Sequence, residues 1–316
     1  MKNDINNLLI LDKNATQYLT LLKKEKLPNL SIVAFEDAKT AKQHCSDCNI
    51  ILGAPGLVQH ILSLASKVKW IQSTWAGVTP LLGPNNRRDY VLTGVKGIFG
   101  RLMSEYVFCH LLLHERKVFQ RYQAQQKRRW DQTQTGTLRG KTLGVMGVGS
   151  IGAHIAKTAK HFEMQTFGFT FRSSDCEFID VYFHLDQLLE FAAAVDYLVC
   201  TLPNTKDTQN LISKDIFGAM KPSVLFINVG RGTVVDEFAL AQALQNGTIA
   251  GAVLDVFQEE PLPKTHPLWQ TPNTIITSHT AAPTFPVDIL PIFIENYRRF
   301  IEGKSLKFVI DFERGY

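Results

Sequence analysis

Residues 141–162 read KTLGVMGVGSIGAHIAKTAKHF, and this stretch decides the fold. An apolar run (143–146) enters Gly147-x-Gly149-x-x-Gly152, and Ile151, Ile155 and Ala159 then mark one side of a helix. A lone G-x-G-x-x-G is weak evidence. A strand before it and a helix after it make it a dinucleotide fingerprint, because each glycine then has a task. Gly147 permits the tight turn, Gly149 lets a pyrophosphate approach the backbone, and Gly152 lets helix and strand pack closely. The phosphates would sit on the helix N-terminus.

The next strand, QTFGFT (165–170), is where an NAD-type fold carries an acid for the ribose 2′-hydroxyl, about 20 residues past the glycines. Here the chain has Thr170, Phe171, Arg172, Ser173 and Ser174 instead. Arg172 can pair with a 2′-phosphate, and Ser173 and Ser174 can donate further hydrogen bonds. NADP(H) is therefore favoured. NAD(H) stays open, since Asp175 supplies the missing acid if the loop is arranged differently.

Outward from this stretch, short apolar runs alternate with helix-like segments. Before it come LLIL, YLTLLKK, LSIVAF, AKTAKQHC, NIILG, LVQHILSLA, KWIQS and YVLTG, a module ending near Gly100. After it come DQLLEFAAAV, DYLVCTLP, SKDIFGAM, SVLFINVG, EFALAQALQNG, IAGAVLDVF and NTIITSH. Such alternation means β-α-β units and largely parallel sheets. Residues 103–130 lack Pro and Gly, and Met103, Val107, Leu111 and Val118 share one side, which predicts a long helix joining two modules. A last helix is expected over 286–301, kinked or restarted at Pro291. The tail SLKFVID (305–311) is expected to return to the first module as a strand or packing segment.

Ligands bind at the strand ends of open α/β sheets. FINVGRGTVVDE (226–237) places Arg231 after one predicted strand, and AVLDVFQEEPLPKTHPLWQTPNTIITSHTAAP (252–283) adds Glu260 and His279. A guanidinium, a carboxylate and an imidazole on such loops can bind an anion and pass it a proton. Leu202, Pro203, Asn228 and Val229 also fall at strand ends, placed to line the nicotinamide side of a cleft. Singly, Arg231 could cap a turn, Glu260 could be solvated beside Glu259, and His279 could be satisfied by backbone. Together with the fingerprint, the chemical reading is stronger. His110, His114, His154, His161 and His266 show no comparable partner pattern and read as structural or surface residues.

With 316 residues, 45% of them hydrophobic and 20% charged, the chain is long enough for two separate cores. No run approaches 18 uninterrupted apolar residues, and MKNDINNLLI lacks the pattern of a secretion signal, so no membrane span is expected and a cytoplasmic setting fits. The five scattered cysteines read as free thiols. Cys45 and Cys48 form a C-x-x-C, but no second pair completes a zinc site, so no metal is expected and the pair reads as a surface helix end. The net charge of +5 is mild, and its densest run is Arg116, Lys117, Arg121, Lys127, Arg128 and Arg129. On a helix this is a solvated face or a subunit contact rather than a nucleic-acid surface.

GVMGVGSIG, INVGRGTVVDE, AVLDVFQEEPLPKTHPLW and NTIITSHTAA, in that order, closely resemble the D-isomer-specific 2-hydroxyacid dehydrogenases, most of all their glyoxylate/hydroxypyruvate reductase branch. STWAGVTPLL (73–82) resembles the family's substrate-binding loop. The resemblance implies an α/β fold of two doubly wound parallel-sheet domains. A Rossmann dinucleotide-binding domain (103–285) would be inserted into a flavodoxin-like substrate domain (1–102 and 286–316). It implies a homodimer formed largely through the inserted domain, and reduction of a small 2-keto acid to the D-2-hydroxy acid by NAD(P)H. Carried over by position, Arg231 is the substrate-binding arginine, Glu260 (which directly precedes Pro261) its acidic partner and His279 the acid/base. Gly147, Gly149, Ser150, Ile151 and Gly152 match the pyrophosphate loop, and Asp255 a position near the nicotinamide. Ala76, Gly77 and Val78 match the loop whose backbone N–H groups hold the substrate carboxylate.

Three positions depart from the pattern. Ser278 precedes His279 where many members have Pro, and Thr79 stands where the loop often has Asp. Trp75 precedes Ala-Gly, where an indole either narrows the pocket toward small substrates or serves as a core or interface aromatic. Two competing readings share the fold: a dinucleotide-sensing, corepressor-like binding protein, and a dehydrogenase of phosphoglycerate or formate. The first would be expected to carry an extra interaction domain. Against the second stand the missing length for a regulatory domain and the Glu260/His279 pair.

Overall fold

In the computed structural model, residues 5–171 and 173–313 are described. Arg172 lies outside them. The chain divides into two compact units, Met1–Ile98 with Thr284–Tyr316, and Phe99–Pro283. Each contains one parallel sheet, as the alternation predicts.

The first unit opens with β1 (Asn6–Leu11), α1 (Ala15–Lys24), β2 (Leu30–Phe35), α2 (Ala38–Ala41), β3 (Ile50–Gly53), α3 (Pro55–Val58), β4 (Trp70–Ser73) and β5 (Val91–Thr93). The strand order is β2-β1-β3-β4-β5, the flavodoxin-like doubly wound arrangement. Central strands β3 and β4 are buried along their whole length, whereas edge strand β2 is only partly covered. Continuous apolar runs are what a sheet covered on both faces requires. Cys45 and Cys48 are not at a surface helix end. Both are buried in this unit's core beside Ala41, Ile51 and Val58, where they pack as small hydrophobes.

The second unit begins with α4 (Gly100–Glu115) and α5 (Val118–Gln126). These replace the single helix expected over 103–130. Lys117 takes a left-handed conformation (φ 50°) and ends the first helix, and Val118 is exposed instead of extending the buried face of Val107 and Leu111. The charged run around Arg116 supplies no apolar anchor that would hold a straight continuation. Then follow β6 (Thr142–Met146), α6 (Ser150–His161), β7 (Gln165–Phe169), β8 (Val181–Phe183), α7 (Leu188–Ala194), β9 (Tyr197–Cys200), α8 (Lys214–Ala219), β10 (Leu225–Asn228), α9 (Glu237–Gln245), β11 (Gly251–Leu254) and β12 (Thr274–Ile276).

Their order, β12-β11-β10-β9-β6-β7-β8, is the Rossmann order with one further strand at the β12 edge. Alternate residues of β10 serve two cores. Phe226 packs with Phe217, Leu240 and Leu254 on one face of the sheet, and Leu225 and Ile227 pack with Ile155, Val145 and Val253 on the other. α4 joins the second of these cores, with Phe108 stacked on Phe162 at 5.0 Å.

The chain returns to the first unit as α10 (Pro286–Ile301). It runs through Pro291 without a break, the proline lying on the exposed side of the helix. Its buried side carries Phe293, stacked on Trp70 of β4 at 5.1 Å, and Asn296, whose amide donates to Gln72 Oε1 at 3.1 Å. The tail forms an isolated antiparallel bridge, Val309 to Thr93, with Ile310 N donating to Leu92 O at 2.8 Å. No helix among the described residues is long and apolar enough to cross a membrane.

Candidate active site

The fingerprint folds as its sequence demands. Gly147 sits at φ +94°, and a Cβ on Gly152 would lie 2.1 Å from the Gly147 carbonyl oxygen, so neither position accepts a side chain without rearrangement. Gly149 opens onto free space and caps α6. Ser150 and Ile151 form the first turn of that helix, whose free N–H groups and positive dipole end favour an anion. β6 lies between β7 and β9, so the loop leaves the sheet at its topological switch point.

Because the sheet is parallel, the residues that follow its strands share one edge. Gly147 follows β6, Leu202 and Pro203 follow β9, Val229 and Arg231 follow β10, Asp255 follows β11 and His279 follows β12. Leu202 and Val229 are buried and Pro203 is exposed. On the β7 side, Ser173 is exposed, its carbonyl accepting from Thr170 Oγ1 at 2.5 Å.

The three polar groups singled out in the sequence converge at this edge. His279 Nδ1 lies 2.7 Å from Glu260 Oε2, and the other carboxylate oxygen, Oε1, accepts from Phe257 N at 3.0 Å. Glu260 is therefore held at both oxygens, which aims the imidazole. Arg231 lies in a turn fixed by Asn228, whose Oδ1 accepts from Gly230 N and whose Nδ2 donates to Arg231 O, both at 3.1 Å. Its Nη1 donates to Gly230 O at 2.6 Å.

The electrostatics follow from these contacts. The Glu260 hydrogen bond holds His279 above the ordinary histidine value, against burial and the Arg231 charge, with the Glu260 and Asp255 charges adding to it. Burial pushes the Glu260 carboxyl up, but the His279 bond, the Phe257 amide and the His279 and Arg231 charges together leave it below the ordinary value. Burial lowers Arg231, opposed by the Glu260 charge. The guanidinium stays charged regardless, given its starting value. A partly buried cation beside an imidazole biased toward its protonated form can bind an anion and donate a proton.

Asp255 sits beneath this pair and is 1% exposed. Its Oδ1 accepts from Thr277 Oγ1 at 2.5 Å and Thr280 N at 2.8 Å, and its Oδ2 from Ala281 N at 3.0 Å. His279 N donates to the Asp255 backbone carbonyl at 2.8 Å. One carboxylate thus binds the loop on both sides of His279, which itself takes φ +56°. The Thr277 hydroxyl is also 2.7 Å from the Tyr106 hydroxyl of α4. Sequence reading missed Thr277 and Tyr106, because nothing in a lone Thr or Tyr marks a hydroxyl chain to a residue 171 positions away. It also missed the partner of His266, whose Nε2 lies 3.3 Å from Glu237 Oε2.

In the first unit, Trp75–Val78 follows β4. Ser73 Oγ accepts from Trp75 N at 3.0 Å and donates to Trp75 O at 2.7 Å, and Thr74 Oγ1 donates to the buried Asp12 at 2.8 Å. Trp75 and Ala76 are exposed, Gly77 is partly covered and Val78 is buried. The indole is thus not a core aromatic of its own unit.

The model of the D-isomer specific 2-hydroxyacid dehydrogenase NAD-binding domain matches residues 108–281. A glyoxylate/hydroxypyruvate reductase A from Photorhabdus laumondii is 32% identical over 306 residues, covering 93% of this chain and 94% of the relative. A D-isomer specific 2-hydroxyacid dehydrogenase family protein from Aeromonas salmonicida superposes with a TM-score of 0.94 at 42% identity, covering 97% of this chain and 99% of that one. An NADPH-dependent glyoxylate/hydroxypyruvate reductase from Sinorhizobium meliloti, solved with NADP and sulfate, gives 0.85 at 26% identity, covering 98% and 100%. With the fingerprint, the sheet order and the strand-end residues already in place, these matches make the chain a member of the D-isomer specific 2-hydroxyacid dehydrogenase family of oxidoreductases.

Proposed function

We propose that this protein reduces a small 2-keto acid, glyoxylate, hydroxypyruvate or a close analogue, to the D-2-hydroxy acid, with NADPH as the preferred cofactor. The observation that carries the reading is the Glu260–His279 hydrogen bond beside Arg231 at the edge that also holds the fingerprint. The Phe99–Pro283 unit binds the dinucleotide and also carries Arg231, Glu260 and His279. The open Gly149 position and the free N-terminus of α6 fit a pyrophosphate, with Ser150 and Ile151 contributing amides. Arg172 and Ser173 take the 2′-phosphate, in keeping with the NADP bound by the Sinorhizobium meliloti relative. Leu202, Pro203, Val229 and Asp255 flank the nicotinamide. When bound, the nicotinamide supplies the hydride.

The chain's own residues do the rest. Arg231 anchors the substrate carboxylate and polarises the carbonyl with its forked donors, and the loop of Ala76, Gly77 and Val78 after β4 is the one that resembles the family's carboxylate-binding loop. His279, protonated and aimed by Glu260, gives its Nε2 proton to the carbonyl oxygen and takes it back in the oxidation direction. We also infer a homodimer formed through the Phe99–Pro283 unit, supported by the exposure of Val118, Phe119, Tyr122 and Trp130. Light scattering reads that state directly.

The test of the catalytic reading is steady-state turnover of glyoxylate, hydroxypyruvate, pyruvate and longer keto acids against NADPH and NADH. Turnover of the small acids with NADPH supports it. Faster turnover with NADH throughout overturns the cofactor preference, and no turnover with any acid overturns the enzymatic reading.

A further inference from the structure

Two adjacent amides leave the loop after β11 in support of two different carboxylates. Phe257 N donates to Glu260, and Gln258 N donates to Glu237 Oε1 at 2.8 Å. Glu237 is the first residue of α9 and is almost fully buried. Its other oxygen, Oε2, faces His266 Nε2 at 3.3 Å. Leu268 N points at His266 Nδ1, and an amide can only donate, so the proton of the neutral ring lies on Nε2, toward Glu237. The Gln258 side chain closes the arrangement, its amide donating to Val235 O at 2.6 Å. α9 and the loop that carries Glu260 are thereby tied through one buried carboxylate with a partner on each oxygen.

We infer that Glu237 is a positioning residue for the acid/base pair. It fixes Gln258, Gln258 fixes the adjoining amide of Phe257, and that amide fixes the carboxylate which aims His279. A buried carboxylate is costly unless both oxygens are satisfied, and here the satisfying groups are the supports of the reactive loop. Among the groups facing Glu237 are His266, Gln258, Asp236 and Glu260, and among those facing His279 are Glu260, Arg231 and Asp255. Burial raises the Glu237 carboxyl, the Gln258 amide opposes this, and the Glu260 and Asp236 charges add to it. Loosening the Gln258 amide lets Glu260 swing off Nδ1, and the protonated ring loses its main support.

The inference rests on His279 as the acid/base, and its test is arranged so that the two fail separately. The His279 ring is titrated by NMR in the cofactor-free protein, and the pH profile of glyoxylate reduction is measured alongside, for wild type, Glu237→Ala and Glu237→Gln. In Glu237→Ala the ring titrates lower, the alkaline limb moves down by the same amount, and kcat falls about tenfold, the scale of a lost supporting contact. The KM for NADPH stays within about twofold. Glu237→Gln keeps an oxygen acceptor for Gln258 and recovers most of the shift. Should Glu237→Ala fail to fold, Glu237→Leu fills the volume without an acceptor and poses the same question. A wild-type titration with only a lower melting temperature overturns the inference. A wild-type enzyme without turnover overturns the functional reading and leaves the titration to be judged by itself.

Discussion

Glu260 and His279 lie 19 positions apart, yet Oε2 of the one is 2.7 Å from Nδ1 of the other. The hydrogen bond is the largest influence on the imidazole and raises its affinity for a proton, so the ring stays protonated at pH values where a free histidine is neutral. Reduction, which consumes that proton, should therefore hold its rate through the ordinary histidine range near pH 6.5 and decline only at higher pH. Glu260→Gln removes the charge and should bring the decline back toward that value. A pH profile of kcat/KM for glyoxylate checks it, and an unmoved alkaline limb in the variant would show that the pair does not set the profile.

Removal of the ring itself gives a sharper loss. His279→Ala should lower keto-acid turnover by about 10²–10⁴-fold, the contribution of a positioned acid, while NADPH affinity measured by fluorescence stays close to wild type. An active variant would remove His279 from the role.

Arg231→Lys keeps a positive charge and discards the fork. A point charge cannot bridge carboxylate and carbonyl oxygen at once, so kcat/KM should fall by about 10²–10³-fold with little change in stability. Near-normal kinetics would mean that the planar geometry of Arg231 is not used.

Gly149 and Gly152 should separate binding from folding. A Cβ at 152 collides with the Gly147 carbonyl, so Gly152→Ala should cost about 1–3 kcal/mol by thermal melting as well as cofactor affinity. A Cβ at 149 meets nothing in the protein, so Gly149→Ala should melt near wild type yet bind NADPH more weakly in calorimetry. Equal binding by Gly149→Ala and wild type would move the pyrophosphate elsewhere.

Arg172→Ala tests the cofactor preference. Loss of a charged hydrogen bond to a 2′-phosphate should raise the KM for NADPH by about tenfold or more and leave NADH nearly unaffected. A parallel loss with both cofactors would assign Arg172 to something other than the 2′-phosphate.

Much of this molecule could be read along the chain. The fingerprint, the alternation of apolar runs with helical periods and the order of the later motifs are local signals, and each rests on a handful of neighbouring residues. Where a local signal competed with packing, packing decided. The unbroken helical pattern over 103–130 gives way at Lys117, Pro291 is carried inside a continuous helix, and the C-x-x-C is buried among apolar side chains rather than ending a surface helix. Helix propensity is worth tenths of a kcal/mol for most residues and about 3 kcal/mol for an interior proline, and the combined burial of Ile289, Leu290, Phe293 and Tyr297 on α10 exceeds even the latter.

By itself the sequence determined the fold class, the fingerprint and the three polar residues at strand ends, because strand period, glycine geometry and residue chemistry are properties of short segments. Only the tertiary structure decided which groups meet. The bond of Glu260 to His279, the grip of Asp255 on Thr277, Thr280 and Ala281, and the seat of Glu237 between Gln258 and His266 all depend on adjacent parallel strands delivering their loops to one edge. A hydrogen bond needs its atoms placed to within tenths of an ångström, and residues 19 to 29 positions apart acquire that precision from the packed sheet beneath them.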